Sequence, residues 1–327
     1  MVKVIIPLAG KGTRLLPITK HVPKPLLRVA GRPVLDYVMD RLEGLEIEEL
    51  IFITGHLKEL VETHVASYGR PSRFVEQVVQ DGTAGAINLA RPYVEGPVLI
   101  LFVDTLFKAD LTLVHRLDTD GIIWVKEVED YQRFGVVITD DVGNMTRIVE
   151  KPSEPVSKLA NIGLYYINDW ELLFEGIEHT LAMPKNQDEW YLTDAFQYMI
   201  DHGAKIRTAA VGGWYDCGRV ETLLETNHHL LREGRSVPYE ARDGVSVVDP
   251  VRVAEGVDLV GSTIGPNVTI EEGAVVHGSE LSHTIVGRGA QVLDSKIEYS
   301  MIGDAAEVEN VTGSRLIAAP GELSEAP

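Results

Sequence analysis

Three consecutive apolar residues near the start of the chain, Val4-Ile5-Ile6, predict a short strand covered on both faces, as in a parallel sheet. A glycine turn follows, Leu8-Ala9-Gly10-Lys11-Gly12-Thr13-Arg14, and then a loop stiffened by Pro17, Pro23 and Pro25. Gly31-Arg32-Pro33 starts a helix that carries Val34, Leu35, Val38, Met39 and Leu42 on one face. The run from Val98 to Val103 is a second buried strand, ending at Asp104-Thr105, and a helix with Val220, Leu223, Leu224 and Leu231 closes this part. Beyond Glu233-Gly234-Arg235-Ser236-Val237-Pro238, which reads as a linker, the period changes. Val245, Val251 and Val257 are six apart, as are Val247, Val253 and Leu259. Ile264, Ile270 and Val276 continue in a shifted register, with Val268 and Ala274 beside them and a slip around residues 277–284. One short strand per six residues, with glycines at the corners, predicts a parallel β-helix. The polar tail from Pro320 is expected to be disordered.

Composition narrows the function classes. The chain has 327 residues, 30 Lys+Arg against 49 Asp+Glu, and a net charge of −19, which argues against nucleic acid or an anionic membrane as partner. The lone Cys217 excludes an internal disulfide framework or a cysteine zinc site and fits a reducing compartment. No apolar run approaches the ~20 residues of a membrane helix, and the first residues are too short for a signal peptide. A cytoplasmic protein is expected. The first acidic residue is Asp36, and Lys3, Lys11, Arg14, Lys20, Lys24, Arg28 and Arg32 all precede it. In an acidic chain this describes a local positive field suited to a small polyanion.

The glycine turn supplies a nest of backbone N–H groups for phosphate oxygens, with Lys11 and Arg14 adding charge. It is not a dinucleotide fingerprint, since Leu15 stands where the third glycine would be, and its spacing is not that of a Walker A loop. The long run LAGKGTRLLPITKHVPKPLLRVAGRPVLDYV resembles the signature of the sugar-1-phosphate nucleotidyltransferases. Further segments in order resemble the same family over residues 2–232: Gln77 with Gly82-Thr83-Ala84-Gly85-Ala86, the Asp104 strand end, Phe134-Gly135, Glu150-Lys151-Pro152, Asn161 to Tyr165, the acidic and aromatic turn Glu189-Trp190-Tyr191-Leu192-Thr193-Asp194, and Gly213-Trp214-Tyr215-Asp216-Cys217-Gly218. At the strand end the family usually reads Gly-Asp-Asn, so Val103 and Thr105 depart from it while Asp104 is kept.

The resemblance implies an α/β fold, a Rossmann-like mostly parallel mixed sheet flanked by helices, followed by a short left-handed hexapeptide-repeat β-helix. Domains are expected at 1–232 (catalytic), 233–244 (linker), 245–317 (repeat) and 318–327 (tail). It further implies transfer of a nucleotidyl group from dTTP or UTP to a hexose 1-phosphate, glucose 1-phosphate by default. Leu8, Ala9, Gly10, Lys11, Gly12, Thr13, Gln77, Gly82 and Thr83 would bind nucleotide, and Gly135, Glu150, Lys151, Asn161 and Tyr165 the sugar phosphate. Arg14, Lys24, Asp104 and Asp216 would carry the chemistry, the two aspartates holding Mg²⁺. Sequential His228 and His229 point to different helix faces and fit poorly as ligands. The alternatives are a catalytically silent nucleotide-sugar sensor, a GTP-dependent mannose-1-phosphate guanylyltransferase, and a bifunctional enzyme with added acetyl transfer, for which His277 or His283 would be the base. The repeat region is expected to serve stability and homo-oligomer formation and to contribute nothing to the nucleotidyl chemistry.

Overall fold

The computed structural model describes every residue except 117, 241–243 and 326–327. Two compact units account for the chain: Met1–Gly10 with Val38–Trp214, and Lys11–Tyr37 with Tyr215–Pro327. The predicted linker thus falls partly on residues outside this description, as does the end of the predicted tail.

The first unit is built on a nine-stranded mixed sheet. Its centre is Val2–Pro7, where Val4, Ile5 and Ile6 are fully buried, as a strand covered on both faces requires. Ile47–Thr54 and Val98–Leu101 flank it, both parallel to it, and Ser72–Glu76 extends the sheet beyond Ile47–Thr54. Leu159–Ile167 then pairs antiparallel to Val98–Leu101 and to Gly121–Glu127, which in turn takes Ile206–Ala210 as a parallel neighbour. Gly135–Thr139 and Met145–Glu150 close the far edge as an antiparallel pair. Helices Thr83–Asn88, Trp170–Ala182 and Leu192–Asp201 pack their apolar faces onto this sheet through Ile87, Leu173, Phe174, Ile177, Phe196 and Met199. The strand expected to run to Val103 ends at Leu101, with Phe102 N–H still bonded in register to the Gly163 carbonyl at 2.8 Å. Asp104 therefore lies just beyond the strand end, in the chain's turn toward Thr105–Lys108.

The second unit joins the proline-stiffened segment to helix Val220–Leu230 and the parallel β-helix. The segment folds as short 3₁₀ turns, Thr13–Leu15, Ile18–Lys20 and Lys24–Leu26, and a two-residue ladder, Arg28–Val29 with Arg32–Pro33. The helix expected after Pro33 is Val34–Asp40, with Val34 and Leu35 buried. The β-helix has three faces, sheets of five, six and four strands, consistent with the left-handed hexapeptide type. Its corners use the left-handed backbone region and stack in columns: Asn267 (φ 62°), His283 (φ 50°), Tyr299 (φ 46°) and Arg315 (φ 56°) form one column.

Two expectations are corrected here. The coils are not three sixes. Ile264 pairs with Leu281, a step of 17, and Thr269 with Ile285, a step of 16, so a residue is dropped between Leu281 and Ile285. The apolar period shifts there because each coil keeps its inward side chains stacked while its corners shorten. The described part of the tail is ordered: Glu322–Glu325 pairs antiparallel with Leu316–Ala319, and the hairpin covers the last strand of its face.

Candidate active site

The predicted residues separate by unit. Leu8, Ala9, Gly10, Gln77, Gly82, Thr83, Asp104, Gly135, Glu150, Lys151, Asn161 and Tyr165 lie in the first, and Lys11, Gly12, Thr13, Arg14, Lys24 and Asp216 in the second.

In the first unit, Val2–Pro7 delivers the chain to Leu8, whose N–H bonds Ile53 carbonyl at 2.7 Å. Ala9 packs so closely on Gly55 that a Cβ there would stand 2.9 Å from it, and Gln80 Nε2 donates to Ala9 carbonyl at 2.6 Å. Gln77 is buried at the end of Ser72–Glu76, and its amide nitrogen donates to Asp81 Oδ1 at 3.1 Å and Gly82 carbonyl at 3.4 Å. This fixes the amide with its nitrogen turned inward. Gly82 (φ +122°) has no room for a side chain, since a Cβ would lie 2.3 Å from Trp190 carbonyl oxygen. Thr83 Oγ1 accepts from Leu192 N–H at 2.9 Å. The Gly-Thr turn is thus held by the 190–192 segment as much as it is shaped for a ligand.

A second group surrounds Gly135. Asn161 Nδ2 donates to Gly135 carbonyl at 2.8 Å, and Asn161 Oδ1 accepts from the Tyr165 hydroxyl and from Gly163 N–H at 3.3 Å. A Cβ on Gly135 would fall 2.3 Å from Asn161 Nδ2 and 2.8 Å from Glu150 Oε2, so the glycine is what lets an amide and a carboxylate converge here. Thr193 Oγ1 donates to Glu150 Oε2 at 3.1 Å. Lys151, in the left-handed region at φ 41°, sends Nζ to the Tyr191 hydroxyl at 3.0 Å and lies over its ring. Burial raises the Glu150 carboxyl above its ordinary value, opposed by the Lys151 charge and the Thr193 hydrogen bond. Burial also raises the Tyr165 hydroxyl well above 10.0, with the negative charges of Glu150 and Asp104 adding to the rise. Asp104, Glu150 and Tyr165 form one acidic neighbourhood.

In the second unit Gly12 (φ +64°) packs against Thr19 and the Lys24 stem, and its carbonyl accepts from Thr19 Oγ1 at 2.9 Å. Thr13 and Arg14 sit in the 3₁₀ turn that follows. Asp216 Oδ1 accepts from Gly218 N–H at 2.7 Å, and Thr226 Oγ1 donates to the Asp216 carbonyl at 3.0 Å. A Cβ on Gly218 would meet Asp216 Oδ1 at 2.8 Å and Lys24 Nζ at 3.6 Å, which puts this carboxylate and this ammonium side by side. Among the described residues no group of three or more His, Cys, Asp or Glu side chains could hold a metal by itself. Asp104 lies in the first unit and Asp216 in the second, and each offers carboxylate oxygens of the kind a hard divalent ion takes.

The broad positive field is narrower than its sequence suggested. Lys3 bonds the Tyr93 carbonyl and pairs with Glu48, Lys20 pairs with Glu322 and Arg28 with Glu271, while Arg32 lies over Tyr37. His229 stacks on Tyr215, His277 pairs with Asp258 at 2.9 Å, and His283 stacks on Tyr299. Sequence reasoning missed Asp81, Tyr191 and Thr193, which orient Gln77, Lys151 and Glu150. Tyr191 and Thr193 belong to the turn Glu189-Trp190-Tyr191-Leu192-Thr193-Asp194, which the resemblance includes without a role for either side chain.

Comparison with known proteins gives the family. The chain is 32% identical over 327 residues to the bifunctional protein GlmU of Methanococcus aeolicus, with 94% of this chain and 77% of that protein covered. It is 32% identical over 234 residues to the UTP–glucose-1-phosphate uridylyltransferase AglF of Haloferax volcanii, covering 69% of this chain and 95% of that one. A crystal structure of a UDP-glucose pyrophosphorylase complexed with UDP-glucose superposes with TM-score 0.64 at 25% identity, covering 71% of this chain and all (100%) of the other. Residues 3–233 match the family described as Nucleotidyl transferase, and the chain belongs to that family.

Proposed function

We propose that the protein transfers a nucleotidyl group from a pyrimidine nucleoside triphosphate, UTP or dTTP, to a hexose 1-phosphate, releasing pyrophosphate and an NDP-sugar. The observation that carries this reading is the pair of preorganised polar groups in the sheet unit, Gln77–Asp81–Gly82 and Gly135–Glu150–Lys151–Asn161. Because the Gln77 nitrogen is held by Asp81, its carbonyl end is the half that accepts from a uracil or thymine imide N–H. Glu150 accepts from a sugar hydroxyl, Asn161 and Tyr165 shape the floor beside it, and Lys151 holds the sugar's phosphate. Glucose 1-phosphate is the first sugar to test, as the named relative and the superposed structure both act on or hold glucose derivatives.

In the reaction a phosphate oxygen of the sugar 1-phosphate attacks the α-phosphorus. The new P–O bond forms as the bond to the β-phosphate oxygen breaks, and pyrophosphate leaves with the electron pair. No protein nucleophile is needed, so the residues contribute by positioning and by charge. Leu8, Ala9, Gly10, Lys11, Gly12, Thr13 and Arg14 cradle the triphosphate, and Lys24 meets the charge that develops on pyrophosphate. Asp104 and Asp216 would hold Mg²⁺, which when bound neutralises phosphate charge.

A panel of nucleoside triphosphates against several hexose 1-phosphates, read by pyrophosphate release, tests the reading. Preference for UTP or dTTP supports it, preference for GTP with mannose 1-phosphate replaces it, and binding without turnover makes the protein a sensor. The name of the Methanococcus relative keeps one further reading in view. Transfer of acetyl from acetyl-CoA to an amino-sugar phosphate would add a second activity. Self-association through the β-helix and a place in the cytoplasm belong to the same proposal. Light scattering tests the first and cell fractionation the second; among the described residues no helix is long and apolar enough to cross a membrane.

A further inference from the structure

The segment Lys11–Tyr37, which supplies Lys11, Arg14 and Lys24, belongs to the same compact unit as the β-helix. Little within the segment explains its shape. Before the first turn of helix Val34–Asp40 it has only three one-turn 3₁₀ helices and a two-residue ladder, so most of that stretch must be set by what it packs against. Those neighbours include helix Val220–Leu230 and β-helix residues drawn from successive coils.

Glu271 is the strongest of them. Its side chain is 3% exposed, and Oε2 accepts from Arg28 Nε at 2.8 Å while Arg28 also bonds the Gly31 carbonyl. A buried carboxylate with one cationic partner costs several kcal/mol in desolvation and is retained only where that partner is fixed. Its second oxygen, Oε1, has no hydrogen-bond partner, so Glu271 depends on Arg28 for its compensation. Asn227, fully buried on helix Val220–Leu230, makes a second tie. Its Oδ1 accepts both Ala30 N–H and Thr269 Oγ1–H at 2.8 Å, joining the segment to a β-helix strand through one atom. Gly31 (φ +86°) lies directly on Arg252, where a Cβ would come within 2.0 Å of Nε. Gly303 of a later coil lies against Ile18, and Lys20 pairs with Glu322 of the terminal hairpin at 2.7 Å.

We infer that the β-helix is a brace for the cationic segment, and that Glu271 and Asn227 are positioning residues for the nucleotide half of the reaction. They touch no reacting atom. They act through Arg28 and Ala30, which fix the loop from which Lys24 and Arg14 project. The inference rests on the nucleotidyltransferase reading, and it departs from the expectation that the repeat region contributes nothing to the chemistry.

The test uses the full-length chain carrying Glu271→Ala, Glu271→Gln or Glu322→Ala, with two readouts. In steady-state kinetics, Glu271→Ala should lower kcat/KM for the nucleoside triphosphate at least 10-fold while KM for the sugar 1-phosphate stays within 2-fold. Glu271→Gln, which can still accept from Arg28, should recover most of the loss. Glu322→Ala alters only an exposed pair, so it folds in any case and should raise KM for the nucleotide about 2-fold. In hydrogen exchange, amides of residues 12–27 should exchange faster in Glu271→Ala than in wild type, with helix Lys58–Ala66 unchanged as the internal control. A merely structural role would lower the active fraction and move neither KM. Wild-type kinetics together with wild-type exchange in Glu271→Ala overturns the brace. Should that variant not fold, wild-type exchange and kinetics in Glu322→Ala overturn it instead. A wild-type protein that turns over no substrate pair removes the nucleotidyltransferase reading, and the exchange result still decides the brace.

Discussion

The two units solve the same problem, burying apolar side chains in paired strands, by different means. In the sheet unit the strands are long, up to the nine residues of Leu159–Ile167, and helices from the same unit cover the core with Phe174, Phe196 and Met199. Among the described residues of the β-helix no strand exceeds four residues, and its coils contribute small inward side chains: Ala274, Ala290 and Ala306 line one column and Val276, Val292 and Val308 another. Its corner N–H groups are met by buried serines. Ser262, Ser279 and Ser295 each accept from the next coil at 3.0–3.1 Å. The lesson concerns where precision comes from. Glu150 and Asn161 sit on strands of a wide, dry sheet and inherit its rigidity. Lys24 and Arg14 sit on a segment with almost no regular structure and owe their placement to side-chain ties.

The comparison can be broken at several points. The largest effect should come from the two carboxylates. Asp104→Asn or Asp216→Asn is expected to lower turnover about 1,000-fold with the melting temperature nearly unchanged, measured by pyrophosphate release and calorimetry. Retention of near wild-type rates in both would remove the two-carboxylate proposal. Next, Ile100→Ala in the sheet and Ile297→Ala in the β-helix remove fully buried side chains, and each should cost about 2–5 kcal/mol in denaturant unfolding. If the two units differ as described, Ile297→Ala should spare KM for the sugar 1-phosphate.

Gln77→Ala should cost about 1–3 kcal/mol of discrimination between UTP and CTP, because a buried pairing is lost. Competition assays with the two nucleotides read this directly, and undiminished selectivity would move base reading elsewhere. Lys151→Ala should raise KM for the sugar 1-phosphate about 10-fold, the scale of one charge-assisted hydrogen bond. An equal rise for the nucleotide would erase the division into two half-sites.

The smallest effect is in pH. Burial raises the Glu150 carboxyl, so the folded chain binds this proton more readily than the unfolded one. Its contribution to stability is therefore present below the ordinary carboxylate value of 4.5 and lost as pH rises through the raised one. Function runs the other way, since only the ionised form accepts from a sugar hydroxyl without donating. KM for the sugar 1-phosphate should rise a few-fold, about 2–5, as pH falls through that range, and Glu150→Gln should flatten the profile.

The sequence alone determined the elements whose signal is local. Val4-Ile5-Ile6 reads as a covered strand and is one, and the apolar face from Val34 reads as a helix, which ends at Asp40, short of the predicted Leu42. The motif order named the family because its glycines and lysines are read in sequence, one after another. Tertiary structure decided what depends on long separations. The coil length of 16 or 17 follows from stacking one coil on the next, which no six-residue window can sense. Lys3, Lys20 and Arg28 look like phosphate ligands in the sequence, yet their partners Glu48, Glu322 and Glu271 lie 45, 302 and 243 residues away. Charge in a sequence is additive, but charge in a fold is spent pairwise between residues brought together in space, and only the fold chooses the pairs.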